Sequence, residues 1–281
     1  MMDRTTARSM IPWVAGVAVT TVLALGWFEL YLVNVQLIAK GVLTQVNRNQ
    51  VLDKTIVDYS GLAAALIVIA GVAVRTRGRS VPLLLGEILT AVRRDPEPAG
   101  KGGAKKSGWR MLLSIIFRDV LLLGRMGECE DFQQWFSHFL IMWGFIGLAA
   151  TTTLDALVNS AANPLPIWHP VRVLGNATGI MLIAGLTIAL TRRLTHTEVR
   201  LNSRPGDWVF LASLYGTALT GFIVQFFADT GVVTATIVFY PVHLAFISFL
   251  LVTAPWTKFI HALWRPSWIA YSRLRGNVSE G

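Results

Sequence analysis

Six stretches of this chain are apolar for long enough to cross a bilayer, which takes roughly 20 residues per helix. They are 11–36, 57–75, 133–157, 170–191, 207–228 and 235–257. The pattern predicts an all-α integral membrane protein with six transmembrane helices. The apolar run Ile11 to Val33 is too long for the core of a cleavable signal, and no A-x-A site closes it, so it reads as a signal anchor. Pro255 lacks an amide hydrogen and is expected to end or kink the last span.

The polar residues between the spans divide the chain. Residues 1–75 form a two-helix N-terminal hairpin, 76–132 a basic connection, 133–265 a four-helix bundle and 266–281 a tail. The middle of the connection, "RRDPEPAGKGGAKKSG", reads as a loop rich in Pro, Gly and Lys. "VPLLLGEILTAVRR" and "WRMLLSIIFRDVLLLGR" flank it, mixing leucine-rich faces with basic residues, as interfacial helices do; docking of a cytoplasmic partner is the alternative. Tryptophans such as Trp13, Trp109, Trp135, Trp168, Trp208, Trp256 and Trp264 fall near the predicted interfaces.

Composition agrees with this picture. The 53% hydrophobic content and mean hydropathy of +0.54 exceed the roughly 45–50% apolar content of soluble domains. The formal net charge of +9 raises the question of nucleic acid. With the N-terminus inside, however, 21 of the 25 Lys and Arg residues fall in cytoplasmic segments. That is the positive-inside pattern. It predicts both termini in the cytoplasm, a lipid-facing role for the charge and no nucleic-acid partner. The single cysteine, Cys129, excludes an internal disulfide and a four-cysteine iron–sulfur cluster within the chain.

The candidate chemistry lies in the histidines. "FYPVHLAFISFLLVTAPWTKFIHAL" carries His243 and His261, 18 positions apart. On an unbroken helix that separation is roughly 27 Å, nearly the hydrocarbon thickness, and five whole turns. By orientation of the spans, His138 is expected at the depth of His261 on the inner side, and His169 at the depth of His243 on the outer side. Paired neutral imidazoles in an apolar helical bundle suit the axial positions of a b-type haem. The competing reading is that each histidine is an interfacial hydrogen-bonder. His196, in "TRRLTHTEVR", reads as a solvated loop residue. Zinc is disfavoured by the absence of short ligand spacings.

The segments "LPIWHPVRVLGNATGIMLIAGLTIALTRRL", "DWVFLASLYGTALTGFI" and "YPVHLAFISFLLVTAPWTKFIHALWR" resemble the membrane domain of quinone-interacting membrane-bound oxidoreductase and the cytochrome b subunit of heterodisulfide reductase. More distantly they resemble the respiratory nitrate reductase gamma subunit. The resemblance covers about 110–275 and implies two b-type haems with His138, His169, His243 and His261 as axial ligands. It also implies exchange of electrons with membrane quinone, and cytoplasmic iron–sulfur or flavin partner subunits. The ferredoxin-like domain that some relatives carry on the same chain is missing, which favours a stand-alone cytochrome subunit. Residues 1–75 match less well.

Around this frame, Arg172 and Lys258 are candidates to pair with haem propionates. Glu29, Asp58, Asp155 and Asp229 fall near the outer ends of spans, as proton-exchanging groups or as plain interfacial residues. This arrangement favours quinone reaction near His169, Arg172 and His243; the competing site is an inner one near Lys258 and Arg125. The acidic group Glu128, Glu130 and Asp131 reads first as a lead-in to a helix. A haem-free membrane anchor or assembly scaffold is the alternative function. A small transporter has less support, because no inverted repeat is visible.

Overall fold

The computed structural model describes residues 16–21, 54–76, 86, 88–90, 113–122, 131–158, 165–257, 259, 264–265, 267–269 and 271. Among them every regular element is helical. The helices are α1 (Lys54–Thr76), α2 (Phe132–Val158), α3 (Pro170–Thr195), the short α4 (Thr197–Leu201), α5 (Pro205–Asp229) and α6 (Val233–Thr253), with a π-helical turn over Ile115–Leu121 and a 3-10 turn over Ala254–Trp256. Among the described residues, five helices are long and apolar enough to span a bilayer: Val57–Val74, Phe132–Val158, Pro170–Thr195, Pro205–Asp229 and Val233–Trp256. These match five of the six expected spans. Most of the first, 11–36, lies outside the described residues. Its residues 16–21 are helical, and Gly16 lies against Phe249 and Thr253 of α6.

Local chemistry sets the helix ends. Pro170 and Pro205 begin α3 and α5, where a missing amide hydrogen costs nothing. The Asp207 carboxylate accepts the Arg204 amide at 3.1 Å and closes the start of α5. Gly231, at φ 71°, lets the chain leave α5 and enter α6 within a few residues. As expected, α6 stops just before Pro255. The other proline, Pro241, is carried inside α6, where it cannot donate to the preceding turn.

Four helices share one core. Leu182 and Leu186 of α3, Leu211, Leu214 and Ala218 of α5 and Leu250 of α6 are buried together, with Ile141, Phe145 and Leu148 of α2 packed against them. α1 stands outside this bundle on α6: Val57 packs near Leu244, and Gly71 faces Pro255, so the two helices run parallel. The outward surface is apolar, with Leu157 at 77% and Ile180 at 62% exposed. Lipid accepts such a surface and water does not, so the chain is an integral membrane protein. Buried threonines satisfy their hydroxyls within their own helices, as Thr151 does on Gly147 (2.9 Å), Thr178 on Leu174 (2.9 Å) and Thr236 on Val232 (3.0 Å).

Of the two expected interfacial helices, only residues 86, 88–90 and 113–122 are described, and they are largely helical. The second ends against α2. The indole nitrogens of Trp143 and Trp135 donate to the carbonyls of Leu121 (3.0 Å) and Leu122 (3.3 Å). The loop 91–112, residues 123–130 with Arg125, Glu128, Cys129 and Glu130, and the tail 272–281 lie outside the described residues.

Candidate functional site

The seam between α3 and α5 fixes the depth of each side chain. Arg172 donates to Asp229 at 2.6 Å. Gln225 Nε2 donates to Asn176 Oδ1 at 2.8 Å. Gly179 leaves room for the edge of Phe222, whose Cε2 a Cβ would meet at 2.8 Å. Further along, Thr187 and Tyr215 share a hydroxyl contact of 3.3 Å. The paired numbers sum to 401 or 402, so the helices are antiparallel and stay in register along the seam. The α2–α3 seam keeps register through glycines in the same way. A Cβ on Gly144 would meet Leu182 N at 2.6 Å, and one on Gly185 would meet Leu140 Cβ at 2.8 Å. Backbones this close are the usual device for packing membrane helices.

His243 sits on the α5–α6 seam. Its ring lies beside Gly221, where a Cβ would come within 3.1 Å of Cε1. Its Nδ1 is 3.0 Å from Thr220 Oγ1. The Thr220 hydroxyl already has a carbonyl to donate to, Gly216 O at 2.6 Å. With the hydroxyl proton on that carbonyl, Thr220 accepts and Nδ1 carries the proton. This arrangement assigns the tautomer, and Nε2 has no hydrogen-bond partner among the described residues.

His169 is built differently. It is the N-cap of α3, with φ −62° and ψ 137°, and its Nδ1 accepts the Val171 amide at 3.4 Å. That assignment puts the proton on Nε2. The seam also separates the two histidines in depth. The α3 position level with Gly221 is near residue 180, so His169 lies about 11 residues, or about 16 Å, beyond His243 along the bundle axis. The structure does not bring this expected outer pair to one level. His138, half-buried on α2, is level with α3 near residue 188, about 12 Å from His243 in the other direction. His261 and Lys258 lie outside the described residues, as does Glu29. His196 is exposed between α3 and α4, as the solvated reading expects.

An ion pair marks each end of the bundle. At one end Arg172 is engaged twice, by Asp229 and by the Leu165 carbonyl at 3.1 Å. These two bonds make it a clamp between α3 and α5. At the other end Arg192 pairs with Asp131, whose Oδ1 also accepts the Gln134 amide at 3.1 Å, so Asp131 caps α2. Arg193 donates to the Asp207 carbonyl at 3.2 Å and lies 5.8 Å over the Trp208 ring. Arg172 and Arg192 are 20 residues apart on one helix. That is about 30 Å, the thickness of the hydrocarbon layer. The Nε of Arg192 is buried and has no hydrogen-bond partner among the described residues. Asp58 is exposed near the start of α1, and Asp155 lies half-buried on α2.

Reading the sequence by its ionisable residues missed Thr220, Gly221, Asn176 and Gln225. A signal for the first pair exists. Ser213, Thr217 and Thr220 recur at helical spacing within an apolar span, on the side of α5 that meets α6. Asn176 and Gln225 carry no pattern of their own and become a pair only once the two helices are in register.

Residues 138–231 match the family model described as nitrate reductase gamma subunit. That match begins at His138, includes His169 and the Thr220–Gly221 pair, and ends before His243. The chain is also similar to a subunit of dihydromethanophenazine:CoB–CoM heterodisulfide reductase, the one designated E. With the protein from Methanosarcina acetivorans it shares 23% identity over 213 residues, 64% of this chain and 80% of that protein. The Methanosarcina barkeri counterpart is 26% identical over 209 residues, 63% of this chain and 78% of its own length. For the Methanosarcina mazei counterpart the figures are 25% over 172 residues, 55% and 65%. No solved structure matches. The chain is therefore a distant homologue of these heterodisulfide reductase subunits, and its segment from α2 through α5 resembles the nitrate reductase gamma subunits.

Proposed function

We propose that this chain is a b-type cytochrome subunit of a membrane oxidoreductase complex. In this reading it has six spans and both termini in the cytoplasm, so the Arg192 end of the bundle is the inner one. It binds two haems and passes electrons between membrane quinone and cytoplasmic iron–sulfur or flavin subunits. The observation that supports this most directly is His243: an imidazole in the bundle whose Nδ1 is held by Thr220 and whose Nε2 is free. A histidine ligand oriented by a hydrogen bond behind it is the usual second shell of a metal site.

The residues fit a haem unequally. His243 offers a free nitrogen. His138 has the unpartnered Nε of Arg192 about one turn beyond its level, a donor that a propionate carboxylate would satisfy. His261 is proposed as the companion of His138 on the inner side. His169 would join the ligand set only by giving up its cap on Val171 and crossing about 16 Å of depth. Bound haem supplies one-electron exchange, and the chain supplies imidazole nitrogen, apolar walls and propionate donors.

The test is the haem-to-protein ratio by pyridine haemochrome in the purified complex, for the wild type and for His243→Ala. Two haems in the wild type and one in the variant are expected. Wild-type protein that carries none, from haem-replete membranes, overturns the reading and leaves the anchor or scaffold function.

A further inference from the structure

We infer that Thr220 is a positioning residue that sets the tautomer of His243 and raises the electron density of its free nitrogen; this rests on the proposed haem ligation by His243. The geometry carries it. Most buried threonine hydroxyls in the bundle simply bond back to their own helix, four residues earlier. Thr220 does this too, on Gly216 O at 2.6 Å, and its remaining lone pair meets His243 Nδ1 at 3.0 Å. A hydroxyl has one proton. With that proton on the carbonyl, the imidazole must be the donor, and Nε2 must be the bare nitrogen. The next residue on α5 completes the arrangement. Gly221 has no side chain, so the ring settles against the helix; a Cβ there would sit 3.1 Å from Cε1, 3.6 Å from Nε2 and 3.7 Å from Nδ1. Thr220 thus holds the proton side of the ring, and Gly221 admits its body.

Donation from Nδ1–H makes the opposite nitrogen a better donor to ferric iron. Loss of the acceptor should therefore raise the midpoint potential of the haem at His243 and weaken its retention. Thr220→Val keeps the shape of the side chain and deletes only the oxygen. In the purified complex we expect the ferric EPR g-values and midpoint potential of one haem to shift, with the potential more positive. We also expect haem retention to fall roughly 10- to 100-fold. Thr220→Ser, which keeps the oxygen, restores both. Should Thr220→Val fail to insert, Thr220→Ala provides the same readout with a smaller side chain. An unchanged potential and g-values in inserted Thr220→Val or Thr220→Ala, while His243→Ala loses a haem, overturns the role of Thr220. Full haem content in His243→Ala overturns the ligation on which that role rests, and so separates the two failures.

Discussion

His243 and His169 are both half-buried histidines in apolar surroundings, and the bundle treats them in opposite ways. At the α5–α6 seam a glycine makes room for the ring and a threonine accepts its proton, so the free nitrogen is the basic one. At the Arg172 end the imidazole accepts a backbone amide at a helix start, so the free nitrogen is the protonated one. The first arrangement leaves a basic nitrogen; the second finishes a helix. Histidines that look equivalent along the chain are separated by what faces Nδ1, and neighbours on other helices decide that.

The strongest way to break the comparison is to remove the space at the seam. Gly221→Leu places a branched side chain where the imidazole lies, beginning with a Cβ at 3.1 Å from Cε1. Overpacking of a filled interior costs about 1–3 kcal/mol, and here it also displaces the ring from Thr220. Loss of the haem assigned to His243 is expected, together with a lower melting temperature in detergent, while the haem assigned to His138 stays. Retention of both haems at wild-type stoichiometry would contradict the placement of His243 as a ligand.

A smaller effect is expected at the Arg172 end. The Arg172–Asp229 pair is half in water, with side-chain exposures of 14% and 33%, and its bond is 2.6 Å. Pairs of this kind contribute about 0–1 kcal/mol. A double-mutant cycle on Arg172→Ala and Asp229→Ala, read as thermal stability in detergent, should give a coupling of about 0.5–1 kcal/mol. Neither variant should change haem content. Loss of a haem from Arg172→Ala would instead favour the propionate role expected from the sequence.

The helices were legible because a membrane span announces itself by length and apolarity. Five expected spans agree with described helices to within a few residues at most boundaries. The stop at Pro255 was legible for the same local reason, since proline cannot continue the ladder. Depth was not legible. Counting from span ends placed His169 and His243 together because each lies toward the same side. Yet His169 is the residue before its helix begins, whereas His243 is about 10 residues inside its own, and that difference is most of the separation. The pairing of Arg172 with Asp229 was likewise hidden, because Asp229 is 57 positions away in sequence and becomes its neighbour only through the α3–α5 register.

The smallest expected effect falls on His169 itself. As an N-cap its contribution is a single 3.4 Å hydrogen bond to the Val171 amide. Asparagine is a better cap than histidine, with an oxygen that reaches the same amides. His169→Asn should therefore leave stability within about 0.5 kcal/mol of the wild type, and His169→Ala should cost about 0.5–1 kcal/mol through the lost cap. Both variants should keep the full haem complement and the wild-type midpoint potentials, because the ring lies about 16 Å from the level of His243. The asparagine variant separates the two roles most sharply, since it preserves the cap and deletes the imidazole. If His169→Asn inserts normally, keeps its stability and still loses one haem, then His169 is an axial ligand and the start of α3 must rearrange when the haem binds. If it loses stability but no haem, the imidazole makes a packing contribution at that end beyond the single cap bond, and the contrast with His243 stands.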